Sequence, residues 1–148
     1  MNVKRVTILG ATGSVGLAAV DLIERTPERF QTEAVASGRD VAGLADVARR
    51  LGARFAAIAD PAAYRDLKAA LAGLDIEVAA GPDAVVEAAS RPVDVSVAAI
   101  VGVAGLGPAL AACAAAKTVA LANKEALVSA GPLVMAAAKA GGAVGLPV

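Results

Sequence analysis

A glycine-spaced turn set between two different periodicities does most to narrow the folds open to this chain. The β-branched run Arg5–Leu9 reads as a strand, and Gly10-Ala11-Thr12-Gly13-Ser14-Val15-Gly16 follows at once. Val15, Ala19, Leu22 and Ile23 then recur at helical spacing, with Asp21, Glu24 and Arg25 on the other side. G-x-x-G-x-x-G in a strand-to-helix setting fits the phosphate loop of a dinucleotide-binding fold. Gly10 permits the tight turn, Gly13 lets backbone approach a pyrophosphate, and Gly16 lets the helix pack close to the strand. The helix's first N–H groups, with the Thr12 and Ser14 hydroxyls, would supply donors to an anion. A purely structural glycine turn is the alternative. A Walker loop is disfavoured, because no Gly-Lys-Ser or Gly-Lys-Thr follows.

The same alternation continues downstream. Further strands are expected at Gln31–Ser37, Phe55–Ile58, Glu77–Ala79, Val93–Ala98, Thr118–Leu121 and from Ala143 to Val148. Asp40 can cap a helix whose inner face is Val41, Leu44, Ala45 and Ala48. Asp60-Pro61, Gly81-Pro82, Gly107-Pro108 and Gly131-Pro132 read as helix starts with proline at the first helical position. They predict helices at Ala62–Ala72, Asp83–Ser90, Pro108–Ala116 and Pro132–Ala140. The expected class is α/β: a doubly wound, mainly parallel, Rossmann-like sheet in a three-layer αβα arrangement. At 148 residues this is one domain.

Composition removes whole classes of function. With no histidine, the chain has no His base, no His metal ligand and no Ser-His-Asp triad. Its 14 basic and 14 acidic residues cancel and aromatics make up 2%, which leaves neither the charge footprint nor the stacking surface of a nucleic-acid binder. The single cysteine, Cys113, sits in an alanine helix and reads as a small buried hydrophobe. Two uncharged runs imitate export or membrane signals. Val6–Val20 carries regular glycines, and Val95–Ala116 is broken by Gly102, Gly105, Gly107 and Pro108. Both fit a strand, a loop and a helix better than a signal peptide or a span, so a soluble cytoplasmic protein with no membrane partner is expected.

The second strand's end bears on the choice of cofactor. Where NAD-binding domains place Asp or Glu for the ribose hydroxyls, this chain reads Ser37-Gly38-Arg39-Asp40, with no acid at the strand's end and Arg39 as the first long side chain. Arg39 favours the 2′-phosphate of NADP; the alternative is a solvated loop charge beside an Asp40 that only caps the next helix. Asn123-Lys124-Glu125 follows the sixth strand, at the same sheet edge as the glycine loop. It reads equally as a ligand-holding cluster or as the solvated first turn of a helix. Ala99 and Ile100, within Ala98-Ala99-Ile100-Val101-Gly102, either wall a nicotinamide site or simply leave a strand.

Together these stretches resemble the 1-deoxy-D-xylulose 5-phosphate reductoisomerase family of non-mevalonate isoprenoid biosynthesis. Thr7 to Gly16, Ala98 to Gly102 and Leu121-Ala122-Asn123-Lys124-Glu125-Ala126-Leu127-Val128 stand in the family's order and spacing. The resemblance implies an NADPH-dependent oxidoreductase that rearranges and reduces 1-deoxy-D-xylulose 5-phosphate to 2-C-methyl-D-erythritol 4-phosphate. It implies that Thr12, Gly13, Ser14 and Val15 touch the pyrophosphate, and that Gly38, Arg39 and Asp40 surround the adenosine ribose phosphate. Asn123 and Glu125 would hold the nicotinamide half and Lys124 would reach the phosphosugar. Asp40 departs from the family's usual Asn. By the same resemblance residues 1–148 are the dinucleotide-binding domain, and Gly145-Leu146-Pro147-Val148 leads toward an Asp-Ser-Glu segment carrying the metal ligands. No catalytic or metal residue is then expected within this chain, which alone would be inactive. Mg²⁺ or Mn²⁺ and a homodimer are expected only of the full-length enzyme. A stand-alone dinucleotide-sensing module without catalysis is the competing reading.

Overall fold

The computed structural model describes residues 3–122 and 144–147. Strand β1 (Lys4–Leu9) leads through the glycine turn into α1 (Ser14–Arg25), and β2 (Phe30–Ser37), α2 (Val41–Leu51) and β3 (Phe55–Ile58) follow. A 3₁₀ turn at Pro61–Ala63 opens α3 (Tyr64–Ala70), and β4 (Glu77–Ala80), α4 (Pro82–Ser90) and β5 (Val93–Ala98) come next. After a further 3₁₀ turn, Val103–Gly105, α5 (Leu106–Ala115) runs without a loop into β6 (Ala116–Leu121); β7 is Val144–Pro147.

The seven strands among the described residues form one sheet in the order β4-β3-β2-β1-β5-β6-β7, and every neighbouring pair is parallel. Parallel strands need crossovers, and crossovers put helices on both faces, so the inner strands read as continuous apolar runs. Val6–Leu9 and Thr32–Ser37 are buried without a break. One face packs α1, α2 and α3 over Val6, Ile8, Val35, Ala56 and Ile58. The other packs α4 and α5 over Leu9, Ala34, Phe55, Ala98 and Val119. The expected three-layer αβα class is therefore what the chain adopts.

The strands build outward from β1 to β4, and α4 then recrosses the opposite face to place β5 against the free side of β1. A right-handed crossover in the reverse direction requires that change of face. The order thus reverses between β1 and β5, the place where open α/β sheets bind ligands beyond their carboxyl ends.

Several local expectations are corrected. Leu22 is 57% exposed; the buried stripe of α1 is Gly16, Val20 and Ile23. Gly16 lies inside α1 and packs on the turn rather than the strand: a Cβ there would collide with the Gly10 carbonyl oxygen and lie 2.7 Å from Ala11 Cα. Pro82 opens its helix as expected, but Pro61 opens a 3₁₀ turn and Pro108 is the third residue of α5. Strand β6 begins at Ala116, two residues before the expected Thr118. Cys113 is fully buried, and burial pushes its thiol pKa up. The expected helix Pro132–Ala140 lies outside the described residues. Among the described residues no helix is long and apolar enough to cross a membrane.

Candidate functional site

The switch point is a cleft of about 620 Å³ at the carboxyl edge of the sheet. Its floor is Gly10, Thr12 and Gly13 from the turn after β1, with Ala99, Ile100 and Val101 after β5. Ser37 and Gly38 at the end of β2 and Ala59 after β3 close one end; Pro82, Val85 and Val86 of α4 with Ala104, Gly107 and Pro108 near α5 form an apolar wall.

The turn is held rigidly from below. Gly10 N and Ala11 N both donate to Ala36 O, at 2.9 and 2.8 Å, which ties the loop to β2. Gly10 has φ +81°, and a Cβ there would stand 2.5 Å from Ala99 O, so only glycine lets the loops after β1 and β5 meet. Gly13 is the N-cap of α1, exposed, with a geometry any residue could adopt, and a Cβ there would find nothing nearer than Gly10 O at 3.6 Å. The fold itself therefore does not require a glycine at this position.

Three N–H groups in the first turn of α1, those of Ser14, Val15 and Gly16, have no intrahelical acceptor. No side chain caps them, and the first turn holds no acid. That leaves partial positive charge at the cleft floor, suited to an anion. Helix α2 is treated differently: Asp40 Oδ1 accepts from Gly43 N at 2.9 Å, so that carboxylate is engaged in the cap. The Arg39 side chain beside it is exposed, with no hydrogen-bond or ion-pair partner among the described residues.

Of the residues singled out in the sequence, Gly10, Thr12, Gly13, Gly38, Ala99 and Ile100 meet in the cleft. Ser14 and Val15 are the first helical residues beside it, and Arg39 and Asp40 adjoin Gly38 outside the lining. Asn123, Lys124 and Glu125 lie outside the described residues; Ala122, just before them, donates its N–H to Ala98 O at 3.0 Å. Sequence reasoning missed Ser37, Ala59 and the α4–α5 wall. The available signal was topological, since every helix start in a parallel sheet lies at this edge, Pro82 and Pro108 included.

No titratable side chain lines the cleft among the described residues. The arrangement can hold a flat, partly apolar molecule carrying anionic groups, and it offers no acid or base of its own. Nor do three metal-ligating side chains come together anywhere among the described residues, so the hard-oxygen donor set of a magnesium site is not found there.

Comparison with known proteins gives one consistent result. Residues 6–131 match the family model for 1-deoxy-D-xylulose 5-phosphate reductoisomerase. Proteins of that name from Rhodospirillum centenum and from Rhodopseudomonas palustris (strain TIE-1) are 57% and 54% identical to it, each over 99% of this chain. The chain spans just over a third of these relatives, 37% and 36% of their lengths. A reductoisomerase structure from Zymomonas mobilis in complex with NADPH superposes with a TM-score of 0.96 at 53% identity, covering 99% of this chain and 38% of that one. Another, in complex with NADPH, fosmidomycin and magnesium, gives 0.91 at 40% identity, covering 98% and 36%.

Proposed function

The chain belongs to the 1-deoxy-D-xylulose 5-phosphate reductoisomerase family, and from that membership we propose that residues 1–148 form the NADPH-binding domain of such an enzyme. The whole enzyme rearranges and reduces 1-deoxy-D-xylulose 5-phosphate to 2-C-methyl-D-erythritol 4-phosphate in isoprenoid biosynthesis, as a homodimer with a divalent metal. The observation that carries this reading is the uncapped start of α1 at the switch point, over a Gly13 whose missing side chain the fold itself does not require.

Residue roles follow from position. The N–H groups of Ser14, Val15 and Gly16 take the pyrophosphate, with Thr12 beside them. Gly38 leaves room for the adenosine ribose, and the unpaired Arg39 guanidinium next to it takes the 2′-phosphate. Asp40, held in the α2 cap, is a neighbour there more than a ligand. Ala99 and Ile100 give the cofactor an apolar wall that excludes water. Asn123 and Glu125 hold the nicotinamide half and Lys124 the phosphosugar, a role supported by their place directly after β6, whose carboxyl end shares the cleft's edge. When bound, NADPH supplies hydride to the rearranged aldehyde. The cleft's share is to fix that donor in place, a positioning role suited to a lining without titratable groups. No step is assigned to a metal, because its ligands are not gathered among the described residues.

Titration of the 148-residue chain with NADPH and NADH tests the reading. Saturable NADPH binding, tighter than NADH and less selective in Arg39→Ala, is expected, with no NADPH oxidation by this chain alone when substrate and Mg²⁺ are added. Failure of either dinucleotide to bind would overturn it.

A further inference from the structure

Parallel sheets are covered on both faces, and this one is covered unevenly. The crossovers from β1 to β4 all run in one direction and set α1, α2 and α3 on one face. From β5 the strand order advances the other way, and α5 accordingly lies on the opposite face. Among the described residues α1 is therefore the last helix on its face, and β5 and β6 lie open beyond it. Val95 and Val97 of β5 are only partly buried there, and the register sets Thr118 and Ala120 of β6, also partly buried, beside them.

Helix α1 borders this open strip with an apolar flank. Its Glu24 pairs with Arg50 of α2, so the flank carrying Ala19 and Leu22 faces the other way, over β5. Leu22 is 57% exposed. None of these six side chains is charged, whereas Asp21 and Arg25, on the outer side of the helix, pair with each other. Neighbouring strands stand about 4.8 Å apart and a helix with its side chains is about 10–12 Å across, so one helix laid alongside α1 would cover β5 and β6 together.

The occupant is indicated by length and by topology. This chain spans only 36% and 37% of two matched reductoisomerases. Strand β7 lies next to β6, and a polypeptide that leaves its carboxyl end and turns back toward β5 with the usual right-handed sense crosses this face. We propose that the strip formed by α1, β5 and β6 is the docking surface for an amphipathic helix of the polypeptide that follows β7 in the whole enzyme. The proposal rests on the family reading above and adds to it a contact between this domain and the rest of the protein, made by residues that do not line the cleft.

The test uses thiol labelling. Cys113 is the chain's single cysteine and is fully buried, so in Leu22→Cys the introduced thiol is the one open to a maleimide. Labelling rates are compared between the 148-residue chain and a chimera in which it is continued by the remainder of the Rhodospirillum centenum reductoisomerase, to which it is 57% identical. Peptide mapping locates the label, and turnover of 1-deoxy-D-xylulose 5-phosphate shows that the unsubstituted chimera is assembled. Leu22→Cys should label about tenfold more slowly in the chimera than in the chain alone, while Asp21→Cys on the outer side labels equally in both. Leu22→Glu should leave the Tm of the chain alone unchanged and lower that of the chimera by about 2–4 °C. Equal labelling of Leu22→Cys in the two proteins would overturn the proposal. So would labelling that slows as the concentration of the chain alone rises, which would place a second copy on the face. A fall in Tm for Leu22→Glu in the chain alone would overturn it too, by showing the face already filled. NADPH affinity of the chain alone should match wild type in every variant, so each of these outcomes leaves the NADPH reading standing. Wild type that binds neither dinucleotide would count against that reading, while the labelling still decides this one.

Discussion

A methyl group added at Gly16 would be driven into the Gly10 carbonyl, whereas one at Gly13, three residues earlier, would have open space around it. Gly16→Ala should therefore lower stability by about 1–3 kcal/mol through overpacking, read by urea denaturation. Gly13→Ser should do the reverse: serine is a better N-cap, so stability holds or rises by a few tenths of a kcal/mol. NADPH affinity should fall in that variant, because the new side chain stands where the pyrophosphate approaches. The unpartnered Thr7 hydroxyl gives a complementary case. Thr7→Val keeps the shape and removes a buried polar atom without a partner, so it should be neutral or stabilising by about 1 kcal/mol in the same denaturation experiment. The glycine turn itself was legible in the sequence, because spacing between a strand and a helix specifies it, but Gly16 packs on that turn and not on the strand as expected. The place of Ser37 in the cleft lining was not, since a small residue at a strand end has no periodic signal.

At the scale of elements, strands β1 and β2 do not pair evenly. Val6 stands opposite Thr32 and Thr7 opposite Ala34, so Glu33 is an extra residue, a β-bulge in a parallel pair. Its side chain, 6% exposed, accepts hydrogen bonds from Arg5 and, at 2.9 Å, from Arg91, which also lies over the Phe55 ring. Burial pushes the Glu33 pKa up, but the hydrogen bonds from Arg91 and Arg5 outweigh it and hold the carboxyl below its ordinary range. With the folded-state pKa below the unfolded one, the stabilisation is complete above the unfolded value and is lost as pH falls through the folded one. Glu33→Gln should cost about 2 kcal/mol at pH 7, and the two proteins should converge as pH falls through the folded-state pKa of Glu33, as followed by thermal unfolding. Strand positions were readable because buried parallel strands are unbroken β-branched or alanine runs. The inner face of α1 was set one residue out of phase, since its contact stripe centres on Gly16 and a glycine carries no hydrophobic signal. Pro108 misled for a related reason: proline is tolerated throughout a helix's first turn, where no N–H has an intrahelical partner, and so does not mark its first residue.

At the scale of the whole molecule, both helical layers meet at the cleft, so a ligand bridging the turn after β1 and the α4–α5 wall should stabilise the domain as a unit. NADPH at about one hundred times its Kd should add about 2.7 kcal/mol and raise Tm by about 5–10 °C, with a smaller rise for NADH at equal concentration. Equal shifts would remove the selectivity assigned to the β2 end. The return of α4 across the sheet also governs how the chain can assemble. Val6 pairs with Val95, and no hairpin brings any two neighbouring strands together early. During synthesis β1 to β4 can associate as they emerge, but β1 keeps one bare edge until β5 arrives, and the face beneath α5 stays uncovered until after that. Closing so long a loop is slow, and the half-built sheet is exposed to self-association while it waits. The reversal of strand order that opens the cleft in the native protein thus also makes the pairing of β1 with β5 the most distant in sequence that the sheet has to close.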